Sequence, residues 1–196
     1  MQSIDEARLE SDLVYRYEYL SEFIGFTPDD ARRIQSSAPH IGPRIPELVQ
    51  KTYEKILAYD ATARHLVPPQ HGFEGETPTD LAALSLTHPQ VQFRKDHLNR
   101  YFAQLIGSTL DSSIVKYLDM VGKIHTAGAG NKEIRVPLVQ MNALLGLISD
   151  VLTGALIDSP LDAEQTVAAV RSFQKLMWIQ NDFVNRHFAE GAPDVA

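Results

Sequence analysis

The chain is 196 residues long, with 44% hydrophobic and 22% charged side chains, which is the composition of one globular domain with a full core. Its formal net charge of -7 leaves no basic excess to release counterions from a phosphate backbone, so nucleic acid is not an expected partner. No cysteine occurs, which rules out disulfides and thiolate-ligated metal centres and leaves the seven histidines as the obvious metal donors.

Met1 to Arg8 shows no basic-then-apolar signal pattern, and the longest apolar run, Ala143 to Leu147, is short and interrupted by Gly146. A cytoplasmic protein with no membrane segment is expected. Residues 4–24 read as a first helix, with Leu9, Leu13, Tyr17, Leu20 and Ile24 on one stripe and Gly25 as the stop. Thr27-Pro28-Asp29-Asp30 is a helix start, and the short helix it opens should end near Ser36, before Pro39, Gly42 and Pro43. Residues 46–66 carry Leu48, Val49, Thr52, Tyr53, Ile56 and Leu57 at helical spacing. Tyr53 sits in mid-stripe, so its hydroxyl needs a partner, either a carbonyl or something held in a cavity.

Residues 68–79 form a Pro- and Gly-rich connection, and 80–86 read as a short helix. Pro89 then opens a helix to about Ile106, with Val91, Leu98, Tyr101, Phe102 and Leu105 as its stripe and Arg94 and His97 to either side. Asp111 caps a helix running to His125, whose stripe is Ile114, Tyr117, Leu118, Val121 and Ile124. His125 lies four residues past Val121 and so points along that stripe, before Thr126-Ala-Gly-Ala-Gly-Asn131 stops the helix. Two long helices follow, one starting at Pro137 (Leu138, Met141, Leu144, Leu145, Ile148, Val151, Leu152) and one over 162–188 (Val167, Val170, Phe173, Leu176, Met177, Trp178, Ile179, Phe183). Both are apolar beyond a single stripe, as for helices that pack on the core and on a second surface. The chain is all-α.

Spacing excludes several chemistries. His65, His71, His88, His97, His125 and His187 form no HExxH and no i, i+4 pair, and no GxSxG or phosphate-binding glycine loop is present. His125 itself has two readings: a core histidine bonded to a carbonyl, or the axial ligand of a haem iron. A haem would also need an apolar slot, for which Leu98, Phe102, Val121 and Met141 are the candidate walls. Tyr53 would be the hydrogen-bond donor on the opposite face.

The segment Arg94-Lys-Asp-His-Leu-Asn-Arg-Tyr-Phe-Ala-Gln-Leu-Ile-Gly107 resembles the distal helix of protoglobins and globin-coupled sensors. The run Asp111–His125, the short loop and Val136-Pro137-Leu138 resemble the family's proximal-histidine helix, hinge and following helix. Thr52-Tyr53 resembles the distal aromatic pair, with Thr52 where archaeal protoglobins carry tryptophan and Leu98 where they carry phenylalanine. The resemblance spans nearly the whole chain. It implies a globin-like helical sandwich over 26–188, an additional N-terminal helix within 1–25 and a tail at 189–196.

It further implies a haem b with His125 as proximal ligand. Tyr53, Leu98, Phe102, Val121, Val136 and Met141 would lie around the macrocycle, with Arg94 and His97 as candidate partners of its propionates. A diatomic gas (dioxygen, carbon monoxide or nitric oxide) would be the ligand, bound for storage or for sensing, in a homodimer joined through the last two helices. Two other functions stay open on the sequence: a haem-free globin-shaped interaction module, and a haem enzyme of nitric-oxide-dioxygenase or peroxidase type.

Overall fold

Short polar side chains set the helix boundaries in the computed structural model, which describes residues 1–188. The expected 4–24 helix is two helices. The Asp12 carboxylate accepts hydrogen bonds from the Val14 and Tyr15 amides (3.1 Å each), so α1 (Glu6–Ser11) ends and α2 (Leu13–Ile24) begins around it. Gly25, at φ 74°, stops α2 as expected.

A reciprocal Thr27–Asp30 capping box opens α3 (Pro28–Ile41), which runs past the expected end and through Pro39. Ile34, Ser37 and Ile41 are buried, and their packing carries the last turn despite the hydrogen bond that proline removes. After a 3-10 turn at Gly42–Arg44, α4 (Ile45–Leu57) is shorter than expected. Tyr59 is extended, and the chain continues as α5 (Asp60–Ala63) and a 3-10 turn at Arg64–Leu66.

Residues 80–86 form turns rather than the expected helix. His88 Nδ1 accepts from the Gln90 amide (3.1 Å) to start α6 (Pro89–Gly107). Asp111 caps a 3-10 turn at Ser112–Ile114, and α7 (Val115–Lys123) follows. His125 therefore lies just beyond that helix, in a turn, rather than within it. Pro137 leads into α8 (Leu138–Ile157), and a second capping box, Asp162–Gln165, opens α9 (Ala163–Asn185). The tail expected at 189–196 lies outside the described residues.

α8 lies along α9, α3 and α7 rest on α9, and α4 packs on α6. Phe102, Leu118, Leu156, Phe173 and Phe183 are sealed in the core. α3 is fastened to α9 by a buried carboxylate: Ser172 Oγ donates to Asp30 Oδ1 (2.7 Å) and Lys175 Nζ to Oδ2 (2.9 Å). α8 is, contrary to the sequence expectation, long and apolar enough to cross a membrane, but here Met141, Leu145, Ile148, Leu152, Ala155 and Leu156 pack into the protein core. The surplus apolar surface of the last two helices is real: Val139, Ile157, Val167 and Trp178 are exposed, Trp178 at 64%, whereas Phe183 is core. α6 and α7 meet through the stacked rings of Tyr101 and Tyr117 (6.4 Å), and both helices line the cavity that is the candidate site.

Candidate functional site

A cavity of about 430 Å³ is bounded by α4, α6, α7, α8 and the 134–136 segment. That is within the range of small-molecule and cofactor sites, roughly 300–1,000 Å³. Its walls are mainly apolar, among them Leu98, Val121, Val136, Met141 and Leu145. Several of the polar groups among them have a buried atom without a partner among the described residues: His65 Nε2, Arg94 Nε, the Tyr101 hydroxyl and Gln140 Oε1.

His125 comes first. Its Nδ1 lies 2.7 Å from Val121 O; a carbonyl can only accept, so Nδ1 carries the proton and the lone pair is on Nε2, on a ring that lines the cavity. Burial lowers its pKa, with the positive charge of Arg94 adding to this and the Val121 bond opposing it. The ring is therefore neutral at pH 7. The two sequence readings of His125 do not compete: it is bonded to a carbonyl, and that bond prepares its other nitrogen to be a donor. Val136 N–H bonds back to His125 O (3.0 Å), which closes the ends of the 126–136 loop on each other, and Asn131 Nδ2 donates to Pro69 O (2.9 Å), which ties its middle.

Tyr53, on α4, is 7% exposed and lines the same cavity. Burial raises the pKa of its phenol and Arg94 lowers it; no hydrogen bond to a described residue holds the hydroxyl. Arg94, on α6, donates from Nη2 to Pro68 O (3.1 Å), while its Nε has no partner. His97 is exposed at the cavity edge, its Nδ1 2.8 Å from Phe93 O. Of the residues singled out in the sequence, His125, Tyr53, Leu98, Val121, Val136, Met141, Arg94 and His97 thus meet around one cavity.

Phe102 does not. It is fully buried behind Tyr101, rings edge to face at 5.7 Å, so it supports the wall without being part of it. The helical stripe correctly marks it as apolar and inward, but the cavity takes the neighbouring Tyr101 instead. Sequence reasoning missed His65 and Gln140. Each has a buried polar atom without a partner, His65 Nε2 and Gln140 Oε1, and both line the cavity. Burial lowers His65, with the Arg64 and Arg94 charges adding to it and the nearby Gln140 amide opposing. A lone glutamine on so apolar a helix as α8 is the one signal that could have exposed this end of the cavity. Among the described residues no cluster of three or more His, Asp or Glu is arranged to hold a bare metal ion.

A protoglobin family model matches residues 13–192. The chain belongs to the protoglobin family. The globin domain of the Geobacter sulfurreducens globin-coupled sensor superposes on this protoglobin with a TM-score of 0.69 at 17% identity, covering 88% of this chain and 97% of that one. At that identity the likeness establishes the globin fold. No curated protein matches the sequence.

Proposed function

We propose that this protoglobin holds a haem b in the α6–α7 cavity and reversibly binds a diatomic gas there, as a gas binder or oxygen sensor. Globins typically bind haem, and the residues here fit one: a mainly apolar cavity, the His125 imidazole with its Nδ1 proton bonded to Val121 O and Nε2 left free, and buried polar atoms that lack partners among the described residues. When bound, the group supplies an iron with one open coordination position.

The residues then divide the work. His125 would hold the iron through Nε2, its tautomer set by Val121 O. Val121, Val136, Leu98 and Met141 exclude water and hold the plane of the macrocycle by shape. Tyr53, with its hydroxyl unclaimed by the protein, donates a hydrogen bond to a dipolar gas molecule in the cavity; such a bond is worth on the order of 1.5–3 kcal/mol in a low-dielectric site. Arg94 and His97, which both line the cavity, would be the candidate partners of its propionates, with the exposed Arg100 beside them.

The observation that carries this reading is the free Nε2 of His125 opening onto an apolar cavity. An absorption spectrum of the purified protein, with and without dithionite and carbon monoxide, tests it. A Soret band near 400 nm that shifts with carbon monoxide is expected, on general grounds for histidine-ligated haem. No band, even after adding haem, refutes the reading and leaves the interaction-module alternative. The exposed Val139, Ile157, Val167 and Trp178 support a homodimer through α8 and α9, since such apolar groups on adjoining helices mark an interaction surface.

A further inference from the structure

The cavity is electropositive inside an acidic protein. The chain holds 25 Asp and Glu residues, and among the described residues none lines the cavity, whereas Arg94 and Arg100 both do. Arg100 is exposed and its Nε donates to Asp96 O (3.2 Å). Arg94 is different in kind. It is half-buried or more along its length, its head makes a single bond to Pro68 O, and no carboxylate pairs with it. It lines the cavity together with Tyr53, His65 and His125, side chains from three separate segments, and its head is held there by Pro68 O. A guanidinium withdrawn from water and left unpaired is costly, and its natural complement is an anion held bidentately. The same cavity is lined by the Tyr53 hydroxyl, a donor with no hydrogen bond to a described residue, and by the neutral side chains of His65 and Gln140.

We propose that Arg94 is the seat of a small monovalent anion, of the size of azide, nitrite or formate, bound inside the cavity with Tyr53 as the neutral donor beside it. The ligand range of this protoglobin then extends beyond neutral gases. The proposal rests on the haem reading for its optical signal only. The alternative occupant with the same chemistry is a carboxylate of the macrocycle itself, and the test separates the two.

The ferric holoprotein is titrated with sodium azide and followed by its visible spectrum, and the ferrous protein is titrated with carbon monoxide, for the native chain, Arg94→Gln and Arg94→Lys. Loss of one charge-assisted contact should raise the azide Kd of Arg94→Gln by about tenfold or more, with carbon monoxide affinity unchanged and partial recovery in Arg94→Lys. Equal azide affinity in Arg94→Gln overturns the proposal. So does a parallel loss of azide and carbon monoxide affinity, which would mean a collapsed pocket. Weaker haem retention with unchanged azide binding assigns Arg94 to a propionate and overturns it as well. Arg94→Met, which keeps the aliphatic stem without a polar head to satisfy, replaces Arg94→Gln should that variant not fold. If the protein shows no Soret band, azide titrated calorimetrically into the colourless protein and its Arg94 variants tests the seat alone. Arg94-dependent heat then keeps the seat while the haem reading falls, and its absence removes both.

Discussion

Gly122 decides how closely the histidine-bearing helix can rest on the rest of the molecule, and replacing it is the sharpest test of that packing. It lies on α7, one turn before His125. A Cβ added there would stand 2.7 Å from Phe183 O, 2.7 Å from His187 Cδ2 and 2.9 Å from Val184 Cα. The His187 ring can turn away, but the backbone oxygen and Cα of α9 cannot, so α7 must lift. Overpacking of this sort costs about 1–3 kcal/mol, and alanine's better helix propensity returns about 1 kcal/mol. Gly122→Ala should therefore lose up to about 2 kcal/mol, lowering Tm by up to roughly 8 °C for a chain of this size, and should fall about 1–3 kcal/mol below the control that follows. Gly146→Ala, on α8, is the control, because a Cβ there meets nothing within 4 Å and only the propensity gain of up to about 1 kcal/mol remains. Urea unfolding of both variants, read by circular dichroism, gives the difference directly, with the unfolded-state effect of glycine-to-alanine common to both. Should Gly122→Ala prove as stable as Gly146→Ala, the close approach of α7 to α9 is not as described, and the placement of His125 built on it goes too.

The remaining expectations concern the cavity and one buried carboxylate. His125→Ala should abolish haem retention, and exogenous imidazole should restore it; retention without imidazole would take the axial role from His125. Tyr53→Phe should raise the dioxygen off-rate about tenfold through the loss of one hydrogen bond, and stopped-flow rates equal to native would remove Tyr53 from ligand retention. Asp30 is pushed up by burial, but hydrogen bonds from Lys175, Ser172 and Thr27 overcome this and hold its pKa down at about 2. A folded value below the unfolded one of about 3.9 means that this stabilisation is present above about pH 4 and is lost as pH falls towards 2. Asp30→Asn should cost about 2 kcal/mol at neutral pH, the gap from native closing between pH 4 and 2; a gap that stays constant down to pH 2 contradicts the assignment.

Much of the site was legible because it rides on helices whose periodicity is strong. Tyr53, Leu98, Val121 and Met141 occupy stripe positions, and stripe positions face inward whether they meet other side chains or a cavity. What periodicity cannot distinguish is those two cases, and this is why Phe102 reads as a wall when Tyr101 takes that place. His65 was hidden for a different reason. Residues 46–66 read as one amphipathic helix, but the chain turns at Tyr59 and re-enters through a 3-10 turn, so His65 faces a direction the helical spacing does not assign it. The break at Asp12 was masked by the reverse effect: the apolar stripe runs on across the junction, although Asp12 before Leu13-Val14 is itself a cap signal. Pro39 misled because its cost to α3 is offset by burial of Ile34 and Ile41, which no local pattern weighs.

The position of His125 outside α7 is what gives it a defined donor nitrogen. Had the helix continued one turn further, the His125 amide would have bonded to Val121 O in the ordinary i→i−4 manner, and the ring would have had to find another acceptor. Instead the last turn tightens: His125 N–H donates to Gly122 O (3.2 Å) and Thr126 N–H to Lys123 O (3.1 Å), both three residues back. This leaves Val121 O among the carbonyls that a helix end does not satisfy, and the imidazole Nδ1–H takes it. The partial negative charge of the helix C-terminus then lies behind the ring and makes Nε2 the more basic ligand, while burial and Arg94 keep a proton from claiming it. The Thr126-Ala-Gly-Ala-Gly-Asn131 stretch that ends the helix is thus part of the donor's chemistry as well as a hinge. On the proposed function, extending α7 with better helix formers there should weaken haem retention even though His125 is left untouched.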